Sequence, residues 1–145
     1  MKIIIPMASN DKDMLDNYSV IKPLVKLGKK TMIETFIENF KFDFEYIFLC
    51  RQQDLLETKL LNIIQKLKIK KKIIAIKKDT TSVIETISFA KKHVKSNEQV
   101  LICHPDNINL FFSKKELHRK LKNPGADGLL FAYDEDSQTN TSETH

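Results

Sequence analysis

The residues best suited to chemistry stand together in Val100-Leu101-Ile102-Cys103-His104-Pro105-Asp106-Asn107. An apolar run turns abruptly polar and ends on an imidazole, a carboxylate and an amide. The apolar part reads as a buried strand. In an open α/β sheet, ligands bind in the crevice beyond the carboxyl ends of the strands. A carboxylate placed there can hold a divalent cation against a phosphate, which makes Asp106 a candidate site residue. The same group can also open a turn or cap a short helix. Cys103 and His104 are adjacent, and adjacent side chains on a strand point to opposite faces, which argues against a thiol–imidazole nucleophile. A zinc site needs four converging ligands, and Cys50, Cys103, His104 and Asp106 converge only if their two strands are neighbours.

The elements that must position this stretch follow from the patterning. Lys2 to Pro6 reads as a buried strand, with three consecutive isoleucines closed by a proline. Met7 to Asn17 is polar and acidic and reads as a loop. Ile21 to Gly28 reads as a short extended segment, because Pro23 disfavours helix at Lys22. Thr31, with Glu34 three residues on, has the capping-box spacing of a helix start, and Ile33, Phe36, Ile37 and Phe40 share one face. Strands follow at 46–50, 72–76, 99–103 and 127–133. A long helix is expected over 52–68, with Leu55, Leu56, Leu60, Ile63, Ile64 and Leu67 inward. A second is expected from the Thr80-Thr81-Ser82 caps to about Val94, with Val83, Ile84, Ile87 and Ala90 as its stripe. A short helix is expected at 114–121, before the turn Asn123-Pro124-Gly125. Strands alternating with helices imply a mostly parallel sheet. The first and fourth strands, the most uniformly apolar, are expected to be central.

A chain of 145 residues suffices for one domain with a sizeable core. The expected domain is 1–133, and the polar, acidic stretch 134–145 reads as a disordered tail. No apolar run reaches membrane-spanning length. The amino-terminal apolar patch is too short for a signal peptide. The two cysteines, Cys50 and Cys103, form no C-x-x-C pair and read as free thiols. Together these features point to the cytoplasm.

The net charge is +5, but the last twelve residues hold four acids and no lysine or arginine. Residues 1–133 therefore carry 24 basic against 15 acidic side chains, a surplus of nine that favours phosphate-bearing ligands. Much of it is the run Lys66, Lys68, Lys70, Lys71, Lys72, Lys77 and Lys78, which reads as a solvated edge with helix-end lysines complementing a macrodipole. No aromatic residue interleaves with these lysines, which argues against nucleic acid as a partner.

Four stretches occur in a definite order: Ile3-Ile4-Ile5-Pro6-Met7-Ala8; Lys22-Pro23-Leu24-Val25 with Lys29-Lys30-Thr31-Met32-Ile33-Glu34; Thr80 to Ala90; and Leu101 to Asn107. In that order they resemble the amino-terminal half of the sugar-phosphate nucleotidyltransferase family, over roughly residues 2–133. The resemblance implies a three-layer, Rossmann-like α/β domain of the nucleotide-diphospho-sugar transferase type. It also implies Mg²⁺-dependent joining of a nucleotide to a phosphorylated sugar or related metabolite, in polysaccharide biosynthesis. It places Lys22 against phosphate as a mobile point charge and makes Asp106 the Mg²⁺ ligand. Ala8, Ser9 and Asn10 fall at the start of the phosphate loop, and Thr80 and Thr81 in the turn near the base.

The chain departs from the family pattern in its loop. No glycine and no arginine lies in 7–22, where the family has a glycine-rich, arginine-bearing phosphate loop. Asp11, Asp13 and Asp16 stand there instead, and one of them could supply a second carboxylate to the metal. Two further readings follow: a non-catalytic nucleotide or sugar-phosphate binding domain, and a nucleotide-sugar-dependent glycosyltransferase. In the catalytic reading, Lys22, Asp106 and the 7–16 loop are expected to face one cleft at the carboxyl edge of the sheet.

Overall fold

The computed structural model describes residues 1–8, 20–40, 42–106, 119 and 122. The chain divides into two compact units, Met1–Leu110 and Phe111–His145, and the sheet with its helices belongs to the first. The expected helix at 114–121, strand at 127–133 and tail at 134–145 lie outside the described residues, as does most of the 7–16 loop.

The architecture is α/β. Four parallel strands, β1 (Lys2–Met7), β4 (Glu45–Arg51), β5 (Lys71–Ile76) and β6 (Val100–Ile102), form a sheet in the order β5-β4-β1-β6. The register sets Ile3 beside Tyr46, Phe48 beside Ile73, and Lys2 beside Val100. Tyr46, Ile47, Phe48, Leu49 and Cys50 are all fully buried, as are Ile3 and Ile5. Burial of consecutive residues means that both faces of the sheet are covered, as parallel sheets require. On one face, Ile4, Ala8, Ile47, Leu49 and Ile76 pack with Ala90. Removing a side chain such as Ile47 from this packing costs about 2–5 kcal/mol.

Among the described strands, the expectation that the first and fourth are central holds for β1 alone. Among the described strands β4 is the second interior one, and β6 ends the order. The reason is visible in burial: every residue of Tyr46–Cys50 is sealed, whereas Ile102 on β6 is 48% exposed.

Between β1 and β4, Lys22–Leu24 forms one 3₁₀ turn instead of an extended segment. Leu24 and Val25 donate to the carbonyls of Ile21 and Lys22, and the fixed φ of Pro23 suits that turn. A small hairpin follows, β2 (Lys26–Leu27) against β3 (Lys30–Thr31). Its turn needs Gly28, whose φ of +67° lies in the left-handed region. The capping box is present. The Glu34 N–H donates to the Thr31 hydroxyl, and the Thr31 N–H and hydroxyl both donate to the Glu34 carboxylate at 2.8 and 2.6 Å. It opens α1 (Met32–Asn39), which buries Ile33, Phe36 and Ile37.

Two helix expectations need correction. The single helix over 52–68 is two short ones, α2 (Gln52–Glu57) and α3 (Leu60–Lys66). Thr58 interrupts them: its backbone is extended, its hydroxyl donates to the Asp54 carbonyl at 2.6 Å, and that hydroxyl accepts from the Leu60 N–H. A threonine side chain competes here with the helical ladder. The register restarts, and Leu56 is left 73% exposed instead of inward. The helix expected to run to Val94 stops early as α4 (Val83–Ser88), with Ser82 as its N-cap, followed by a 3₁₀ turn at Lys91–His93. Tight bonds from Phe89 to Thr86 and from Ala90 to Ile87 close it. Its inner face is Thr86 and Ala90 with Ile87, while Val83 and Ile84 are exposed. Counting apolar residues overlooked Thr86, a polar side chain buried with its hydroxyl satisfied.

Candidate functional site

The chain steps from β1 to β4 to β5 in one direction along the sheet, then crosses back to β6 on the far side of β1. The order therefore reverses between β1 and β6. The loops leaving the carboxyl ends of two strands that flank such a switch point diverge and leave a crevice, which is where open α/β sheets bind ligands.

Asp106 stands just beyond the carboxyl end of β6, after a segment pinned by the Cys103 N–H donating to the Ile4 carbonyl of β1 at 3.0 Å and by the buried Pro105. Lys22 opens the 3₁₀ turn Lys22–Leu24. Its Nζ lies 2.6 Å from Asp106 Oδ2, and both side chains remain about one-third exposed, at 38% and 35%. The two residues singled out as catalytic in the sequence therefore meet. Partial burial works to raise the Asp106 carboxyl. The hydrogen bond and charge of Lys22 outweigh it, with a smaller contribution from His104, and hold the group below the ordinary carboxylate range.

Ala8 and Thr80 are also brought together. Ala8 is buried at the end of β1, and the Thr80 hydroxyl reaches its carbonyl at 3.4 Å while sharing a 2.6 Å hydrogen bond with the Thr86 hydroxyl. Thr81 is engaged in the start of α4: its N–H and hydroxyl both donate to the Glu85 carboxylate, at 2.8 and 3.0 Å. Lys78 and these Thr81 bonds press the Glu85 carboxyl down to about 2. Ser9, Asn10 and the carboxylates of Asp11, Asp13 and Asp16 lie outside the described residues.

Sequence reasoning missed Arg51, Asp54 and Asp79. Arg51 ends β4 at the same carboxyl edge, and its Nε and Nη2 donate to the two carboxylate oxygens of Asp54 at 3.0 and 2.8 Å. Arg51 and Asp54 are both buried, and Asp79, beyond the end of β5, approaches Arg51 Nη1 at 4.0 Å. The usable signal was an arginine directly after a sealed apolar strand with a carboxylate three residues on, the spacing of a helix-start pair.

The cysteines are free thiols. Burial pushes the Cys103 thiol up to about 12 and raises Cys50 further, so neither supplies a thiolate near neutrality. Among the described residues no cluster of three or more histidine, cysteine or acidic side chains is arranged to hold a metal. Among the described residues, Asp106 is the carboxylate at the end of β6, while Asp54 and Asp79 face Arg51. Asp106 suits Mg²⁺ bound through one carboxylate, waters and ligand phosphate oxygens, and does not suit a closed protein cage. No described helix is long and apolar enough to cross a membrane. No protein-family model matches the chain, and a search of curated proteins finds no match.

Proposed function

We propose that the carboxyl edge of this sheet binds a nucleotide or sugar phosphate with Mg²⁺, and that the protein is a nucleotidyltransferase-like enzyme of polysaccharide or related metabolite biosynthesis. The observation that carries this reading is the Lys22–Asp106 pair at the switch point between β1 and β6. An ammonium and a carboxylate in contact, each about one-third exposed, are able to exchange partners. Lys22 can pass to a phosphate oxygen, and Asp106 is then released to accept a cation. Bound Mg²⁺ would offset the charge that builds up on phosphate oxygens during in-line displacement. Ala8 and Thr80 border the same edge, which suits them to the phosphate and base ends of a nucleotide. A three-layer Rossmann-like domain and a cytoplasmic location accord with the parallel sheet and with the free cysteines.

A second reading, a non-catalytic nucleotide or sugar-phosphate binding domain, is favoured by one feature. The 7–22 loop has no glycine to let backbone N–H groups close around a triphosphate. Calorimetry with a panel of nucleoside triphosphates and nucleotide sugars, with and without Mg²⁺, tests the binding site. Mg²⁺-dependent binding that Asp106→Asn abolishes supports it, and binding indifferent to both Mg²⁺ and Asp106→Asn overturns it. Pyrophosphate release with a sugar phosphate as acceptor separates enzyme from binding domain.

A further inference from the structure

Among the described strands, β5 ends the order β5-β4-β1-β6, so only one of its two sides is paired. The Tyr46 N–H donates to the Lys70 carbonyl at 2.9 Å. Along a strand in a parallel ladder, the backbone groups of alternate residues point the same way. Lys70, Lys72, Ile74 and Ile76 therefore face β4. The N–H and C=O groups of Lys71, Ile73 and Ala75 point outward, and no other described segment hydrogen-bonds to them.

This open edge has an apolar middle and basic ends. Ile73 and Ile74 are only partly buried and Ala75 is exposed, whereas Ile47 and Leu49 on β4 are sealed. Lys70, Lys71 and Lys72 stand at the start of the strand, and Lys77 and Lys78 follow its end. Three of these are engaged within the fold. Lys71 donates to the Gln65 and Leu67 carbonyls, Lys72 lies against the His93 ring, and Lys78 pairs with Glu85. The other two can meet a partner, one at each end. Lys77 is exposed, and among the described residues no acid pairs with it. Lys70 meets Asp43 at 3.0 Å with side chains 70% and 90% exposed. Exposed pairs of that kind contribute little, so an incoming carboxylate can replace Asp43.

An unpaired strand edge is a template for a further strand. A second copy of this chain is a poor occupant. Two β5 strands paired antiparallel about Ile73 would set Lys70 and Lys71 of one copy diagonally beside Lys78 and Lys77 of the other, at both ends of the ladder. Like charges across a ladder destabilise it. Lysines that guard the edge against its own kind favour a strand of opposite charge. We propose that β5 binds an extended acidic segment of a partner protein by strand addition. Its apolar middle would lie beside Ile73 and Ala75, with carboxylates at its two ends against Lys70 and Lys77.

The test is an NMR titration of the full, isotope-labelled chain with the peptide Glu-Glu-Val-Thr-Val-Glu-Glu. At saturation, solvent exchange of the outward amides of Lys71, Ile73 and Ala75 should slow about tenfold or more, while those of Lys72, Ile74 and Ile76, already bonded to β4, change little. Ala75→Pro removes an outward donor and leaves the β4 ladder intact, so melting should change little and binding should weaken about tenfold. Lys70→Glu with Lys77→Glu should weaken binding comparably and transfer the preference to Lys-Lys-Val-Thr-Val-Lys-Lys. That charge reversal decides the matter if Ala75→Pro does not fold. The proposal is overturned if the acidic peptide does not bind or protects other amides instead, or if the parent binds the basic peptide equally well. It is also overturned if folded Ala75→Pro binds like the parent, or if the charge reversal leaves the preference unchanged. Protection of the outward amides by raising protein concentration alone would mark pairing between copies and overturn it too.

Discussion

Lys22 Nζ and Asp106 Oδ2 stand 2.6 Å apart across the point where the strand order reverses. One opens the 3₁₀ turn Lys22–Leu24, the other follows the end of β6, the strand beside β1. Their meeting ties the charge of the Asp106 carboxylate to a partly exposed ammonium. Lys22→Ala should raise the Asp106 carboxyl toward its ordinary value, read by carboxyl-carbon titration in NMR. The sign follows from the depressed value: the carboxylate's contribution to stability is present above 3.8 and lost as pH falls through the folded value. Because the pair is a third exposed, Lys22→Ala should alter stability at neutral pH by less than about 1 kcal/mol. A larger loss would mark the pair as structural.

Arg51 and Asp54 behave differently because both are buried. Asp54→Ala leaves a guanidinium in a largely sealed site with its bidentate partner gone. The loss should be about 3–5 kcal/mol, measured by urea denaturation. Replacing both residues with apolar ones of similar volume should recover much of it. A small effect of Asp54→Ala would mean that Asp79 or solvent takes over the charge.

The capping box at Thr31 can be tested alone. Thr31→Ala removes the hydroxyl that meets both the Glu34 N–H and the Glu34 carboxylate. Stability should fall by about 1 kcal/mol. The Glu34 carboxyl, now held low chiefly by its side-chain and backbone bonds to Thr31, should rise toward its ordinary range.

His93 sets a pH dependence at the amino edge. Desolvation first, then Lys72, Lys92 and Lys2, lower its pKa, against a weaker opposing effect of Glu45. Its Nδ1 lies 3.1 Å from Lys72 Nζ, a contact that needs the neutral ring as acceptor. The unfolded chain therefore binds a proton at His93 more readily than the folded one. Stability should be highest above about pH 6.5 and fall as pH drops through that value, until the folded ring titrates as well. Urea midpoints at pH 7.5 and 5.5 should differ in the parent and differ less in His93→Gln.

The four described strands of the parallel sheet were legible in the chain because sealed strands read as unbroken apolar runs such as Ile3-Ile4-Ile5 and Tyr46 to Cys50, whereas the short β2–β3 hairpin was not. The Thr31 helix start was legible because a capping box is local, closed within four residues. Asp106 was recognisable as a strand-end carboxylate for the same local reason. The extent of the helices was not, because Thr58 and the tight turn at Phe89–Ala90 replace helical bonds with alternatives of similar strength, and packing decides between them. The sequence placed Lys22 and Asp106 at one edge, but only the tertiary structure put them in direct contact and joined Thr80 to Ala8. Each pairing depends on which strands are neighbours and on which connections share an edge of the sheet. That order is set by burial summed over the whole sheet and by the handedness of the crossovers, quantities that no short stretch of residues contains.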